Sequence, residues 1–185
     1  MRLNSLIQRD QSVLCVVDVQ QRLAPAIVNV AALIERHQWL LAIANQLLVP
    51  VVYTEQYPQG LGPTVNELNG LLASAQKLEK THFSAYAEQH VREYFSQTKR
   101  QQIVLTGTET HVCVLQTALD MQAQGFKVFV VEDAVGSRRE SDKRLALQRL
   151  RDNGCQIVSS EMVAFEWLHR SATDEFKHIS RNFLR

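Results

Sequence analysis

Cys113 is the residue whose type and position most invite covalent chemistry. It follows the β-rich run 102–106 (QIVLT) and the turn Gly107-Thr108-Glu109, and it opens a helical pattern. Thr110 is the expected N-cap, which would put Cys113 in the first helical turn. Orphan N–H groups and the positive end of the helix dipole stabilise a thiolate there, so a thiol pKa below the usual value of about 8.5 is expected. The same N–H groups can hold the oxyanion formed when a carbonyl is attacked. A cysteine at this position can equally be a small hydrophobe of the core. Cys15 and Cys155 lie in or beside core strands and read as buried apolar residues.

Asp18 is the second candidate. It ends the nearly continuous apolar run 12–19 (SVLCVVDV), where a carboxylate is costly to bury without a partner. A general base, a helix cap, a metal ligand and half of an ion pair all fit that position. Lys80 is one of 20 basic residues, and spacing alone does not select it.

The elements that must position these groups alternate. The apolar run 12–19 reads as a strand buried on both faces of a parallel sheet. A helical spacing of Val30, Leu33, Ile34, Leu40, Leu41, Ala44, Leu47 and Leu48 follows, and Pro50 stops it. Residues 51–53 predict a second strand, 57–63 a loop, 65–75 a helix, 77–80 a short strand and 88–98 a helix. After the strand at 102–106 comes a helix closed by Gly125, then a strand at 127–131 running into Glu132 and Asp133. Ser137 and Glu140 match the capping-box pattern for a helix reaching about Asn153. A strand at 156–158 and helices at 161–169 and 174–185 complete the chain. With no repeat or linker, one domain over 1–185 is expected.

Alternating β and α units imply a parallel sheet with helices on both faces and right-handed crossovers. Ligands of such sheets bind outside the carboxyl ends of the strands, near the switch in strand order. The polar residues just after strands are therefore the ones to examine: Asp18, Gln20, Glu55, Gln56, Lys80, 107–113 and Asp133.

The 20 Lys and Arg against 19 Asp and Glu leave a formal charge of +1, with no electrostatic reason to expect nucleic acid or an anionic membrane surface as partner. The N-terminal MRLNSLIQRDQS lacks the apolar run of a signal peptide, and no stretch approaches the roughly 18 apolar residues of a membrane span. Three cysteines cannot all pair with one another and show no CxxC spacing, which suits a reducing cytoplasm. No GxGxxG follows the first strand, and GxxxxGK[ST], HExxH and GxSxG are absent.

Three segments taken together resemble the isochorismatase-like cysteine hydrolase family: VVDVQ with Asp18 and Gln20, EKTHFSAY with Lys80, and GTETHVCV with Cys113. TEQYPQGLGPTV is similar to the branch of isochorismatase domain-containing proteins. The resemblance covers essentially the whole chain. It implies an α/β fold, a three-layer α/β/α domain with a six-stranded parallel sheet of Rossmann-like topology. It also implies a catalytic triad of Asp18, Lys80 and Cys113, and an oxyanion hole from the backbone N–H groups of Glu109 and Cys113. A non-proline cis peptide is implied between Thr108 and Glu109, together with self-association, as a dimer or tetramer.

Departures from the family pattern narrow the expectation. Where nicotinamidases of the family carry an Asp-x-His metal motif, this sequence has Glu55-Gln56-Tyr57-Pro58 with no histidine nearby. No metal and no cofactor is therefore expected. Isochorismatases proper cleave a vinyl ether and lack the nucleophilic cysteine. Cys113 thus points to a metal-independent hydrolase of a small amide-like or related carbonyl substrate, working through a thioester. A vinyl-ether hydrolase with an incidental Cys113, and a non-catalytic scaffold, stay open. Gln20, Tyr57, Phe83 and His111 are substrate-binding candidates by location.

Overall fold

The structure, a computed structural model, describes residues 6–184. Residues 1–5 and Arg185, the two ends of the expected 1–185 domain, lie outside it, as do the first five residues of the N-terminal stretch and the last of the C-terminal helix. In chain order the elements are β1 (Ser12–Val17), α1 (Val30–Gln46), β2 (Val51–Gln56), α2 (Pro58–Leu61), α3 (Asn66–Asn69), β3 (Gln76–Lys80) and α4 (Gln89–Thr98). Then come β4 (Gln102–Thr108), α5 (Leu115–Ala123), β5 (Lys127–Gly136), α6 (Glu140–Asp152), β6 (Gln156–Val158), α7 (Ser160–Leu168) and α8 (Asp174–Phe183).

The six strands form one sheet in the order β3-β2-β1-β4-β5-β6, and every pairing is parallel. The pleat sorts the core into two layers. Leu14 and Val16 of β1 and Phe129 and Val131 of β5 face the apolar stripes of α1, α7 and α8. Val13, Cys15 and Val17, with Val128 and Val130, face α4, α5 and α6. Burial on both faces explains why β1, β4 and the first half of β5 are so uniformly apolar. The strand order switches between β1 and β4, so the crevice beyond their carboxyl ends is where a ligand site is expected.

One glycine makes this crevice possible. Gly107 has φ +135°, and a Cβ there would lie 2.0 Å from the carbonyl oxygen of Val17. Only glycine lets β4 come so close to β1 where Asp18 leaves the sheet. The β4–β5 register shifts at the same place, between Leu105 and Gly107. Beyond that irregularity β5 pairs again through Val135 and Gly136, so the strand runs well past the expected 127–131.

Other local expectations also shift. The helix expected at 65–75 shrinks to α3 and a series of turns. Leu68 and Leu72 give the segment its helical spacing and are buried, but Gly70 weakens a helix there. α6 begins at Glu140 with Arg139 at the N-cap and no side-chain cap. Ser137 is buried, and its hydroxyl lies 3.1 Å from His111 Nδ1 instead of capping the helix. The apolar residues of the last helix dock on their own chain. Ile179 is fully buried, and Phe176, Phe183 and Leu184 pack on the α1 side of the core.

Candidate active site

Asp18 is the first residue beyond β1 and sits in the left-handed region, at φ 53°. Two threonines hold it there. Its N–H donates to Thr54 O (3.2 Å), and Thr108 Oγ1 donates to its carbonyl (2.6 Å). Thr54 Oγ1 also donates to carboxylate oxygen Oδ1, at 2.7 Å. The other oxygen, Oδ2, lies 2.7 Å from Lys80 Nζ. That contact is an ion pair without hydrogen-bond alignment, and Oδ2 makes no hydrogen bond among the described residues. The outcome is a carboxylate with one oxygen anchored and the other held only by charge, open to a proton.

Lys80 ends β3, at the edge of the sheet, and is 2 % exposed. Its Nζ donates to Gln56 Oε1 (2.6 Å), Phe83 O (3.0 Å) and His82 O (3.3 Å). Burying two charges costs several kcal/mol per ion, and the loss is offset only when geometry is good and the remaining donors and acceptors are matched. Here the matching is nearly complete, so the pair can persist as ions away from water.

Cys113 lies beside this pair, 4 % exposed. Burial pushes its thiol up to about 12, the Asp18 carboxylate adds to the rise, and the Lys80 ammonium opposes it. The depressed thiol pKa expected from a helix start is therefore not found, because burial outweighs it. The resting group is a thiol with a base at hand. Thr110 does not cap the helix either. Glu109 stands at the N-cap, the chain makes one wide π turn over Thr110–Val114, and Thr110 Oγ1 is buried without a hydrogen bond among the described residues.

The Thr108–Glu109 peptide is trans, for there is no cis peptide among the described residues. The turn is made by φ instead. Gly107 is at 135° and Glu109 at 53°. Asp18, Tyr57 and Glu109 thus carry left-handed φ just beyond the ends of β1, β2 and β4. Such conformations cost of order 1–3 kcal/mol each for non-glycine residues and gather at functional sites.

The rim residues separate into two kinds. Gln20 is fully buried and its amide is engaged by backbone. It donates to Gln56 O (3.0 Å) and Gly62 O (2.7 Å) and accepts from Gln56 N (2.7 Å). It fixes the end of β2 and has no donor left for a ligand. Tyr57 and Phe83 are each 55 % exposed. His111 is partly exposed, 3.6 Å from Glu109 Oε2, and Arg138 Nε pairs with Glu109 Oε1 at 3.0 Å.

Several contributors carried no usable sequence signal. Gln56, noted only as a strand-end residue, bridges Lys80 Nζ and Thr81 O (2.8 Å). Thr54 and Arg138 carry no sequence signal of their own, and Thr108 only its place in the 107–113 turn. Register brings in Thr54 and Thr108, as the pairings Val17↔Thr54 and Thr108↔Gly136 show. Asp133, another strand-end candidate, caps α7 through Ser160 N and Oγ (2.8 and 2.6 Å) and belongs to that helix. A cavity of about 590 Å³ opens at the other end of the sheet, beside Leu48, Arg100 and Trp167, and none of Asp18, Lys80 and Cys113 borders it.

Known proteins share this fold. Residues 12–162 match the model of the isochorismatase domain. Isochorismatase domain-containing protein 2 of Xenopus laevis is 36% identical over 180 residues, covering 97% of this chain and 86% of its own. The solved structure of the MAR1 ribonuclease from Caenorhabditis elegans superimposes with a TM-score of 0.91 at 34% identity, over 97% of this chain and 93% of that one. The YcaC gene product of Escherichia coli, described as an octameric hydrolase of unknown specificity, shares the fold with a TM-score of 0.92 at 23% identity, over 100% and 93% of the two chains. A six-stranded parallel sheet with its switch point between β1 and β4 thus coincides with a family match over most of the chain: the protein belongs to the isochorismatase family.

Proposed function

We propose that this chain is a metal-independent cysteine hydrolase of small amide-like or related carbonyl substrates, with Asp18, Lys80 and Cys113 as its catalytic triad. The observation that carries the reading is the open Oδ2 of Asp18, held 2.7 Å from the Lys80 ammonium, with both charges acting on the thiol of Cys113.

Asp18 takes the thiol proton, and the thiolate attacks the carbonyl carbon, forming a C–S bond. The oxyanion rests on the backbone N–H groups of Glu109 and Cys113. Collapse breaks the bond to the leaving amine, which receives the proton from Asp18. Water, deprotonated by Asp18, then attacks the thioester, and the sulfur leaves and is reprotonated. Lys80 keeps Asp18 ionised between steps and stabilises the transient thiolate.

Metal independence is supported by what the side chains at the end of β2 do. Glu55 Oε1 accepts from Thr64 N and Oγ1, at 2.6 and 2.9 Å. Gln56 is engaged by Lys80 and Thr81. Tyr57, Phe83 and His111 form the substrate rim in this reading, with Gln20 behind it as support. The chain acts as one domain in a reducing cytoplasm, in keeping with its three free, buried cysteines. It self-associates as a dimer or tetramer, a state that light scattering reads directly; its E. coli fold neighbour is described as octameric. No helix among the described residues is long and apolar enough to cross a membrane.

The test is turnover across a library of small amides. Cys113→Ala and Asp18→Asn should each abolish hydrolysis and, for the wild type, a trapped acyl adduct should map to Cys113. Undiminished turnover in either variant would end the scheme, and turnover of a vinyl-ether substrate retained in Cys113→Ala would favour that type of reaction.

A further inference from the structure

A lysine reaches its target through four rotatable bonds, so something must hold the Lys80 ammonium against Asp18. Two of its acceptors, the carbonyls of His82 and Phe83, belong to the residues that follow it. The chain at 81–83 therefore curls around its own ammonium.

The outer side of that curl is gripped by a single carboxylate oxygen. Glu88 Oε1 accepts from Thr81 N (2.8 Å), His82 N (3.1 Å) and Thr81 Oγ1 (3.3 Å), and lies 2.9 Å from His82 Nδ1. The backbone N–H groups of Thr81 and His82, with the His82 ring, hold the Glu88 carboxyl down at about 2. The same peptide units are held from the other side. Lys80 O accepts from Tyr57 N (2.8 Å), and Thr81 O accepts from Gln56 Nε2 (2.8 Å). Both ends of peptides 80–81 and 81–82 are thus engaged, and the next two carbonyls face Nζ. Glu88 is also the N-cap residue of α4, which Val91 and Phe95 anchor in the core. The clamp is fixed to a buried helix while its grip is on the loop.

We propose that Glu88 is a positioning residue for the Lys80 ammonium. Through Thr81 and His82 it sets the two carbonyls on Nζ, and through Nζ it sets the charge felt by Asp18 and Cys113. The inference rests on the reading of Asp18, Lys80 and Cys113 as the reacting set. Glu88 itself touches no reacting atom. Without it, peptides 80–81 and 81–82 can turn toward solvent and the ammonium can drift from Asp18. The thiol of Cys113 then loses the one influence that lowers its pKa.

The measurement is the rate of Cys113 alkylation by iodoacetamide as a function of pH, read by mass spectrometry on the whole protein and needing no substrate. Lys80→Met defines the full loss. Glu88→Ala should slow alkylation at fixed pH about tenfold, the equivalent of one pKa unit. Glu88→Gln, whose amide oxygen still accepts from the two N–H groups, should keep most of the rate. Glu175→Ala, which removes the exposed contact with Arg9, should leave the profile unchanged. Slowed alkylation in Lys80→Met with a wild-type profile in Glu88→Ala overturns the role of Glu88 and leaves the triad standing. A wild-type profile in Lys80→Met overturns the reading beneath it. Should Glu88→Ala fail to fold, Glu88→Asp keeps the charge but shortens the reach, and a wild-type profile there overturns the proposal equally.

Discussion

Cys15 and Cys113 face the same layer of the core, and burial pushes both thiols up to about 12. Both also feel the same two charges, Asp18 raising the pKa and Lys80 lowering it. By titration they are twins. Position separates them. Cys15 lies inside β1, two pleats short of the strand end, and is closed in on both faces. Cys113 lies beyond β4, where the chain has turned back over the crevice. A raised pKa therefore does not mark a nucleophile here; in the proposed scheme a base within reach of the thiol proton does.

The comparison breaks most readily through activity. Cys113→Ala should lower kcat by at least about 10⁴-fold, in the range seen when a nucleophile is removed, while Cys15→Ala should leave kcat unchanged. Equal losses in the two variants would show that the cysteines are not functionally distinct.

Stability tests the ion pair that both thiols feel. Lys80→Met leaves the Asp18 carboxylate buried and unpaired, and should cost about 3–5 kcal/mol by urea denaturation. Cys15 and Cys113 would then be left with Asp18 alone, and both thiols should become harder to alkylate. A loss under about 1 kcal/mol would mean that Asp18 takes up a proton and the pair contributes little.

His37 supplies the contrasting case of a buried group with no counter-ion in contact. Burial pushes it down to about 4, against an ordinary value of 6.5, although the Leu33 carbonyl and the Asp133 charge work the other way. Its Nδ1 is 2.8 Å from Leu33 O, and Nε2 has no hydrogen bond among the described residues. A folded pKa below the unfolded one means that the unfolded chain binds the extra proton. Stability from this group is full above about pH 6.5 and falls as the pH drops toward 4, by about 3 kcal/mol in all. His37→Gln should flatten that part of the stability–pH curve. An unchanged slope would place the acid sensitivity elsewhere. Cys15→Ala carries the smallest expected effect, about 1 kcal/mol of stability, since it removes one sulfur from a packed face. A loss several times larger would indicate that β1 depends on this thiol for more than packing.

Much of this architecture was legible in the chain before folding. The apolar runs at 12–17 and 102–106 and the helical stripe of α1 announce a doubly covered parallel sheet, because burial on two faces leaves no room for alternation. The strand-end rule led to Asp18, Lys80 and the 107–113 turn. What stayed hidden was mostly second partners. Gln56, Thr54 and Glu88 matter through hydrogen bonds to groups 24, 36 and 6–7 residues away, and no local pattern encodes such a match. The Ser137–Glu140 pattern misled because tertiary contact with His111 outweighs a local cap.

The sequence by itself determined which polar residues stand at strand ends, since the alternating pattern sets the elements along the chain and residue type is given. The tertiary structure decided what those residues are at rest. It set the parallel register that joins Asp18 to Thr54, and the close approach at Gly107 that draws β4 against β1. It also put left-handed φ at Asp18 and Glu109 in place of a cis bond. The state of Cys113 was decided there too. Dipole and sequence position favour a thiolate, but desolvation depends on how many atoms close around the sulfur, and that is a property of the packed molecule alone.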